Sequence, residues 1–319
     1  QKVGFRRFRI EDGILTINGK RIVFKGADRH EFDAERGRAI TEQDMIDDVV
    51  FCKRHNINSI RTSHYPNQER WYELCDEYGI YLIDEANLEA HGSWSLPGDV
   101  LTEDTIVPGS KREWEGACVD RVNSMMRRDY NHPSVLIWSL GNESYVGDVF
   151  RAMYKHVHDI DPNRPVHYEG VTHNRDYDDV TDIETRMYSH ADEIEKYLKD
   201  DPKKPYLSCE YMHAMGNSVG EHGRIHGART LPEVSGRLHL GLHRPGHLRH
   251  PARRHQEPAL RRRLRRPSVR LRVLRRRPAV RRPQAFPPRP RKSKRAVLER
   301  PHRRDEGLGV RQERQPVHP

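Results

Sequence analysis

Between residues 21 and 210, short apolar runs alternate with stretches of helical period, and polar residues close each run. The runs lie at 21–28, 57–62, 80–84, 135–140, 165–169, 184–188 and 206–210. Nearly continuous apolar character over five or six residues is how a strand buried on both faces of a parallel sheet reads. Between the runs, Thr41 opens a helix with Met45, Ile46, Val49 and Cys52 on one face. Trp71, Leu74 and Cys75 mark a second helix, stopped by Gly79. Trp114, Cys118, Val122 and Met125 repeat the spacing over 113–130, and 150–160 is a further helix. Strict alternation needs crossover connections, hence a parallel α/β sheet. Seven strands with polar C-terminal ends favour a (β/α)8 TIM barrel over an open sheet. The barrel is expected to be incomplete, with its eighth strand lost, because Leu238-His239-Leu240-Gly241-Leu242 is interrupted and flanked by arginines. Residues 1–17, with runs at 5–10 and 13–17 before an Asn18-Gly19 hairpin turn, read as the end of a preceding β-sandwich domain. The barrel then spans 18–220, and 221–319 forms a basic tail.

The polar strand ends carry the chemistry, since in such a barrel they face the active site. The run at 135–140 delivers Asn142 and Glu143; the run at 206–210 ends in Glu210. Charged groups are rarely buried without partners, so acids at these places point to function. Two carboxylates on separate strand ends can flank a glycosidic bond, one protonating the leaving oxygen and the other attacking the sugar carbon. The plain alternative for Glu143 is a charge at a helix N-terminus. His30, His64 and His213 serve as readily in structural hydrogen bonds as in substrate contacts. Arg61 equally suits a bidentate pair with a carboxylate. For Glu89 and His91 the alternative is an ordinary exposed loop.

Net charge divides the chain. Of the 57 Lys+Arg and 47 Asp+Glu in 319 residues, 221–319 hold 29 and 7, so the formal +10 comes entirely from the tail. That tail has 13 prolines, a single aromatic (Phe286) and no helix or strand period. Such a segment cannot bury enough apolar surface to offset chain entropy, and disorder is expected. As an arginine-rich arm it suggests a different class of function, a basic nucleic-acid-binding protein with a decayed barrel. The four cysteines (Cys52, Cys75, Cys118, Cys209) lack metal-ligand spacing, and no early apolar stretch resembles a signal peptide or membrane span. A cytoplasmic protein with reduced core thiols, without membrane association, is the expectation.

Several motifs in order carry a family resemblance. Asn58-Ser59-Ile60-Arg61-Thr62-Ser63-His64-Tyr65-Pro66, continuing to Ile83, resembles the first signature of glycoside hydrolase family 2. Asp129-Tyr130-Asn131-His132-Pro133 through Trp138 to Glu143 resembles the second. Asp84-Glu85-Ala86-Asn87-Leu88-Glu89-Ala90-His91-Gly92 and Cys209-Glu210-Tyr211-Met212-His213 look like the family's β-galactosidases rather than its β-glucuronidases. The resemblance implies a retaining enzyme acting on terminal β-galactosides such as lactose. Glu143 matches the acid/base, Glu210 the nucleophile, and Tyr188 a tyrosine hydrogen-bonded to the nucleophile. Glu89, His91 and Glu143 match ligands of a magnesium ion, and a monovalent cation stays open. His30, Arg61, His64, Asn142 and His213 match residues lining the galactose site. After His30, Glu31-Phe32-Asp33 departs from the His-His-Pro common in the family. The full-length enzyme would carry further domains and form a homo-oligomer, with no nucleic acid as partner.

The genetic code offers a second account of the tail. Gly236 to Gly241 can be encoded as GGG CGG CTT CAT CTG GGA, which one nucleotide later reads Gly-Gly-Phe-Ile-Trp-Asp. That product resembles the family's eighth strand with its sugar-stacking tryptophan, and codons for 263–287 shift likewise into family-like sequence. A frameshift at or just after Gly220 is therefore expected, leaving this chain a truncated and inactive fragment.

Overall fold

Two tight turns begin the fold. Asp12-Gly13 (φ 50° and 72°) and Asn18-Gly19 (φ 52° and 74°) have both central residues left-handed, the geometry that joins twisted antiparallel strands. They connect β1 (Phe8–Glu11), β2 (Ile14–Ile17) and β3 (Lys20–Arg21) into a small antiparallel sheet. The computed structural model describes residues 3–93, 105–200 and 202–213, and the backbone of 234–240. All belong to one unit, Gln1–Ala252. The remainder of the predicted tail lies outside the described residues.

Eight parallel strands follow: β4 (Phe24–Asp28), β5 (Ser59–Arg61), β6 (Tyr81–Glu85), β7 (Val135–Ser139), β8 (Val166–His167), β9 (Glu184–Met187), β10 (Tyr206–Glu210) and β11 (Val234–Leu240). They are ordered β8-β7-β6-β5-β4-β11-β10-β9. The eighth position is thus filled, which corrects the expectation that the strand is lost. β11 pairs with β4 from Gly236↔Phe24 to Leu240↔Asp28, and with β10 on its other side. Side-chain composition argued against a strand here. The deciding demand is that of the backbone, because β4 and β10 would otherwise each leave a row of donors and acceptors unpaired. Val234, Gly236, Leu238 and Leu240 also alternate with polar residues at the strand period.

The ladder is open elsewhere, between β8 and β9. The predicted strand at 165–169 is only two residues long, because the chain turns into a 3-10 segment at Glu169–Thr172. Asp182 bridges the opening: its N–H donates to Val166 O (2.9 Å) and its Oδ2 accepts from Val166 N–H (2.7 Å).

Helices α1 (Glu42–Arg54), α2 (Glu69–Tyr78), α3 (Arg112–Asp129) and α4 (Asp148–Ile160) fall where their periods place them, and α5 (Ala191–Lys199) is a further helix not predicted from the sequence. Thr41 and Asp44 form a reciprocal capping box on α1, and Gly79 ends α2 at φ 70°. Met45, Val49, Cys52, Trp71, Leu74, Cys75, Cys118, Val122 and Met125 share one core. Trp114 does not: it is 44% exposed, in the first turn of α3 before the buried stripe begins. A second core joins Phe8 and Leu15 to Phe24, Ile83, Ile137, Ile183 and Leu207. Phe24, Ile183 and Leu207 lie at or beside the N-terminal ends of β4, β9 and β10, and Ile83 and Ile137 at the midpoints of β6 and β7, so the hairpin of β1 and β2 packs toward the N-terminal end. All four cysteines are free and buried, and no described helix is long and apolar enough to cross a membrane.

If β11 belongs to the cooperative fold, Leu238→Pro should lower stability markedly, since proline removes a ladder donor inside a strand paired on both sides. Urea unfolding checks this, and an unchanged midpoint would detach β11 from the barrel.

Candidate active site

At the open end of the barrel, β5 brings in Arg61, whose side chain is fully buried. Its Nε donates to Glu85 Oε2 (2.6 Å), and its Nη1 to both Asp28 Oδ1 (3.0 Å) and Glu210 Oε1 (2.9 Å). Its Nη2 donates to Asn142 Oδ1 (2.7 Å) and lies 3.3 Å from His64 Nδ1. One guanidinium therefore ties together the ends of β4, β5, β6, β7 and β10. Three acids around one buried cation do not ionise equally. Burial, then repulsion from Glu210 and Glu85, raises Asp28 well above the usual carboxylate range despite Arg61. Burial also opposes the charge of Glu85, yet Arg61, His64 and the Ser139 hydroxyl hold that acid down at about 2. His64 Nδ1 is 2.8 Å from Glu85 Oε1, and Ser139 Oγ donates to Glu85 Oε2 (2.7 Å).

Glu210 ends β10 and is 3% exposed. Burial works against its ionisation, but Arg61 and the Tyr188 hydroxyl keep it below its ordinary value. Tyr188 OH donates to Glu210 Oε2 at 2.6 Å. Glu143 moves in the opposite direction. Burial raises it, His91 works against that rise, and Glu210 and Glu89 add to it. Both Glu143 (φ 37°) and Tyr188 (φ 53°) are left-handed, a strained conformation for side chains of their size. Each is anchored by its own N–H: Glu143 to Glu169 Oε1 (2.7 Å), and Tyr188 to Glu210 O (2.6 Å).

The other predicted residues fall around this pair. His30 packs edge-on against His64, with centroids 5.1 Å apart, and lies 3.2 Å from Ser63 Oγ. His213, partly buried, follows Glu210 by three residues. His91 Nδ1 is 3.2 Å from Glu143 Oε2, while the Asn142 amide donates to Glu89 Oε1 (3.3 Å) and reaches Glu143 Oε2 (3.5 Å). Glu89 and Glu143 thus meet at Asn142, with His91 against Glu143. Among the described residues, however, no three His, Cys, Asp or Glu side chains close on one metal position.

Four residues of the site were not singled out from sequence: Asp28, Glu85, His167 and Glu169. Asp28, Glu85 and Glu169 stand at strand ends, the available signal. Burial pushes Glu169 up to about 8 and, with the charge of Arg61, brings His167 down to about 3. His167 bridges Ser139 Oγ (3.0 Å) and Thr185 Oγ1 (3.1 Å) inside the barrel.

Residues 8–233 match the family model for glycosyl hydrolases family 2, TIM barrel domain. The chain belongs to glycosyl hydrolase family 2. Within the family it is similar to the β-galactosidase BgaC of Bifidobacterium adolescentis, 71% identical over 243 residues, covering 74% of this chain and 23% of that protein. It is also similar to a β-galactosidase of Lactobacillus delbrueckii subsp. bulgaricus, 55% identical over 78% of this chain and 25% of that one. The chain spans about a quarter of the length of the curated relatives it matches. Among solved structures it resembles the β-D-glucuronidase of Dictyoglomus thermophilum, with 25% identity, TM-score 0.59 and coverage of 75% of this chain and 47% of that one. A β-glucuronidase of Ruminococcus gnavus shares the fold at 20% identity and TM-score 0.62, over 75% of this chain and 48% of that one.

In this family-2 barrel, Arg61→Met is expected to cost about 3–5 kcal/mol at neutral pH, the penalty for leaving buried carboxylates without their cation. Glu85, near 2 in the fold against an ordinary 4.5, contributes stability above 4.5 and loses it as pH falls through the folded value. The difference between variant and parent should therefore narrow as pH falls from 4.5 toward 2. Urea midpoints across that range check it; equal midpoints at neutral pH would remove Arg61 from its role.

Proposed function

We propose that this chain carries the catalytic barrel of a retaining β-galactosidase. The observation that carries the reading is the opposed ionisation of two strand-end carboxyls: Arg61 and Tyr188 hold Glu210 charged, and burial moves Glu143 toward the protonated form. A charged Glu210 oxygen attacks the anomeric carbon as the glycosidic C–O bond breaks, and the Glu143 proton goes to the departing oxygen. Glu143, now a carboxylate, then takes a proton from water. The water oxygen bonds to the anomeric carbon, and Glu210 leaves as a carboxylate. Tyr188 and Arg61 hold the nucleophile's oxygens in place, while His30, His64, Asn142 and His213 are assigned to the sugar hydroxyls. Galactose as the sugar is supported by the names of the β-galactosidases the chain is similar to.

Glu89, His91 and Glu143 are the residues that would hold a magnesium ion: Asn142 donates to Glu89 and reaches Glu143, and His91 lies against Glu143, although the three would have to draw together from their present positions to share one ion. Such an ion, when bound, supplies positive charge next to Glu143 and so favours its ionised form. We further assign the tail to a frameshift near Gly220 and the chain to a fragment of a longer, homo-oligomeric cytoplasmic enzyme. The frameshift rests on the charge boundary and the codon reading, since the family match itself runs on to residue 233; four buried free thiols suit a reducing compartment.

The frame-restored, full-length enzyme should hydrolyse lactose and nitrophenyl galactoside, and Glu210→Gln should abolish both activities. Glu143→Gln should slow lactose by roughly 10²–10⁴-fold, the contribution of a general acid, and nitrophenyl galactoside less, because its leaving group needs little protonation. The 319-residue chain should be no faster than its own Glu210→Gln variant. Near-normal turnover by Glu210→Gln in the restored enzyme would require another nucleophile, and an active 319-residue chain would overturn the frameshift. Chelation of the restored enzyme should lower its rate and magnesium should recover it; a rate indifferent to chelation, with no metal detected, would dismiss the ion.

A further inference from the structure

β7 and β8 pair only at Trp138↔Val166 and Ser139↔His167, and the last ladder bond runs from Leu140 N–H to His167 O (3.1 Å). Beyond it the chain turns away into the 3-10 segment, so on that side the described chain offers residues 143–144 no strand to pair with. Two consecutive side chains take the place of that strand. Glu169 Oε1 accepts from Glu143 N–H (2.7 Å), and the Tyr168 hydroxyl accepts from Ser144 N–H (3.1 Å). A hydroxyl can accept and donate at once, and Tyr168 OH also donates to Ser144 O. Tyr168 is itself locked in place. It is fully buried, its ring stacks on Phe150 with centroids 4.0 Å apart, and its N–H donates to Thr181 Oγ1 (3.2 Å). Gly170 leaves room for that ring, since a Cβ there would stand 2.5 Å from the ring carbon Cε1. Glu169 is costly where it stands. It is 4% exposed, and its Oε2 is buried with no hydrogen-bond partner among the described residues. An acid buried in that way lowers stability, so folding alone does not account for it. What its side chain holds is the N–H of Glu143, a residue whose φ of 37° needs support from its surroundings.

We propose that Tyr168 and Glu169 are a positioning pair for Glu143: they fix the left-handed turn that aims its carboxyl, and the reaction depends on them in proportion to the protonation its leaving group needs. The proposal rests on the reading of Glu143 as the acid/base. Both residues act through the backbone of 143–144 rather than by touching the substrate.

Two measurements test it. In the 319-residue chain, amide hydrogen exchange should find Glu143 and Ser144 protected. Glu169→Ala should speed exchange at Glu143, and Tyr168→Phe at Ser144, each roughly tenfold, the effect of one hydrogen bond, with Leu140 unchanged. In the frame-restored, full-length enzyme, Glu169→Ala should lower kcat/KM for lactose roughly 10²-fold, the effect of an acid misplaced by about 1 Å. For dinitrophenyl galactoside, whose leaving group needs no proton, kcat/KM should hardly change. Tyr168→Phe keeps the ring and its stacking and should show the same split at roughly tenfold. Glu169→Gln keeps an acceptor oxygen of the same reach and should recover most of the lactose loss. Unchanged exchange at Glu143 and Ser144 in the variants overturns the pair. A loss equal for both substrates, no loss for either, or no recovery with glutamine overturns its part in positioning the acid. A restored parent that hydrolyses neither substrate counts instead against the β-galactosidase reading, while exchange still decides the pair.

Discussion

One buried guanidinium holds the functional end of this barrel together. Arg61 donates to Asp28, Glu85, Glu210 and Asn142, side chains from four other strand ends. Burying one cation among three acids is tolerable because the acids divide the burden. Glu85 stays ionised, Glu210 stays ionised with help from Tyr188, and Asp28 shifts toward its neutral form. Removing any member would leave its partners desolvated and unmatched. The arrangement also fixes Glu210 in both position and charge, the two properties a nucleophile needs.

The acid/base residue is held by backbone rather than by a cation. Just before it, Gly141 (φ 146°) lets the chain approach Leu88, where a Cβ would stand 2.6 Å from the Leu88 carbonyl oxygen. That approach allows Asn142 N–H to donate to Leu88 O (2.8 Å), which draws the loop bearing Glu89 and His91 toward Glu143. Glu143 then takes its left-handed turn, its N–H held by Glu169. Strain at one residue is offset by contacts from β6, β7 and the turn after β8. Glu210 is thus placed by charge pairing in the barrel's interior and Glu143 by loop geometry at its rim. The difference explains why one is driven toward ionisation and the other away from it.

Much of this was legible in the amino-acid sequence. Apolar runs bounded by polar residues marked the seven strands from β4 to β10, and capping signals such as Thr41 and Gly79 marked helix ends, because these depend on neighbours along the chain. The strand-end rule placed Glu143, Glu210, Arg61, His64 and Asn142 together, and the structure gathers them. Trp114 shows the limit of periodicity: its spacing fits the buried stripe, but it lies in the first turn of α3, before the buried positions begin at Cys118.

The sequence by itself determined the alternating architecture, the two carboxylates and the charge boundary near residue 220, because each is a local pattern of residue types. Only the tertiary structure decided that Val234–Leu240 fills the eighth position, that the ladder opens between β8 and β9, and that Asp28 and Glu169, like Glu143, are shifted toward neutrality. Those outcomes depend on which distant groups share a low-dielectric space and which backbone edges lack partners. Both are properties of the assembled barrel, and no stretch of sequence contains them.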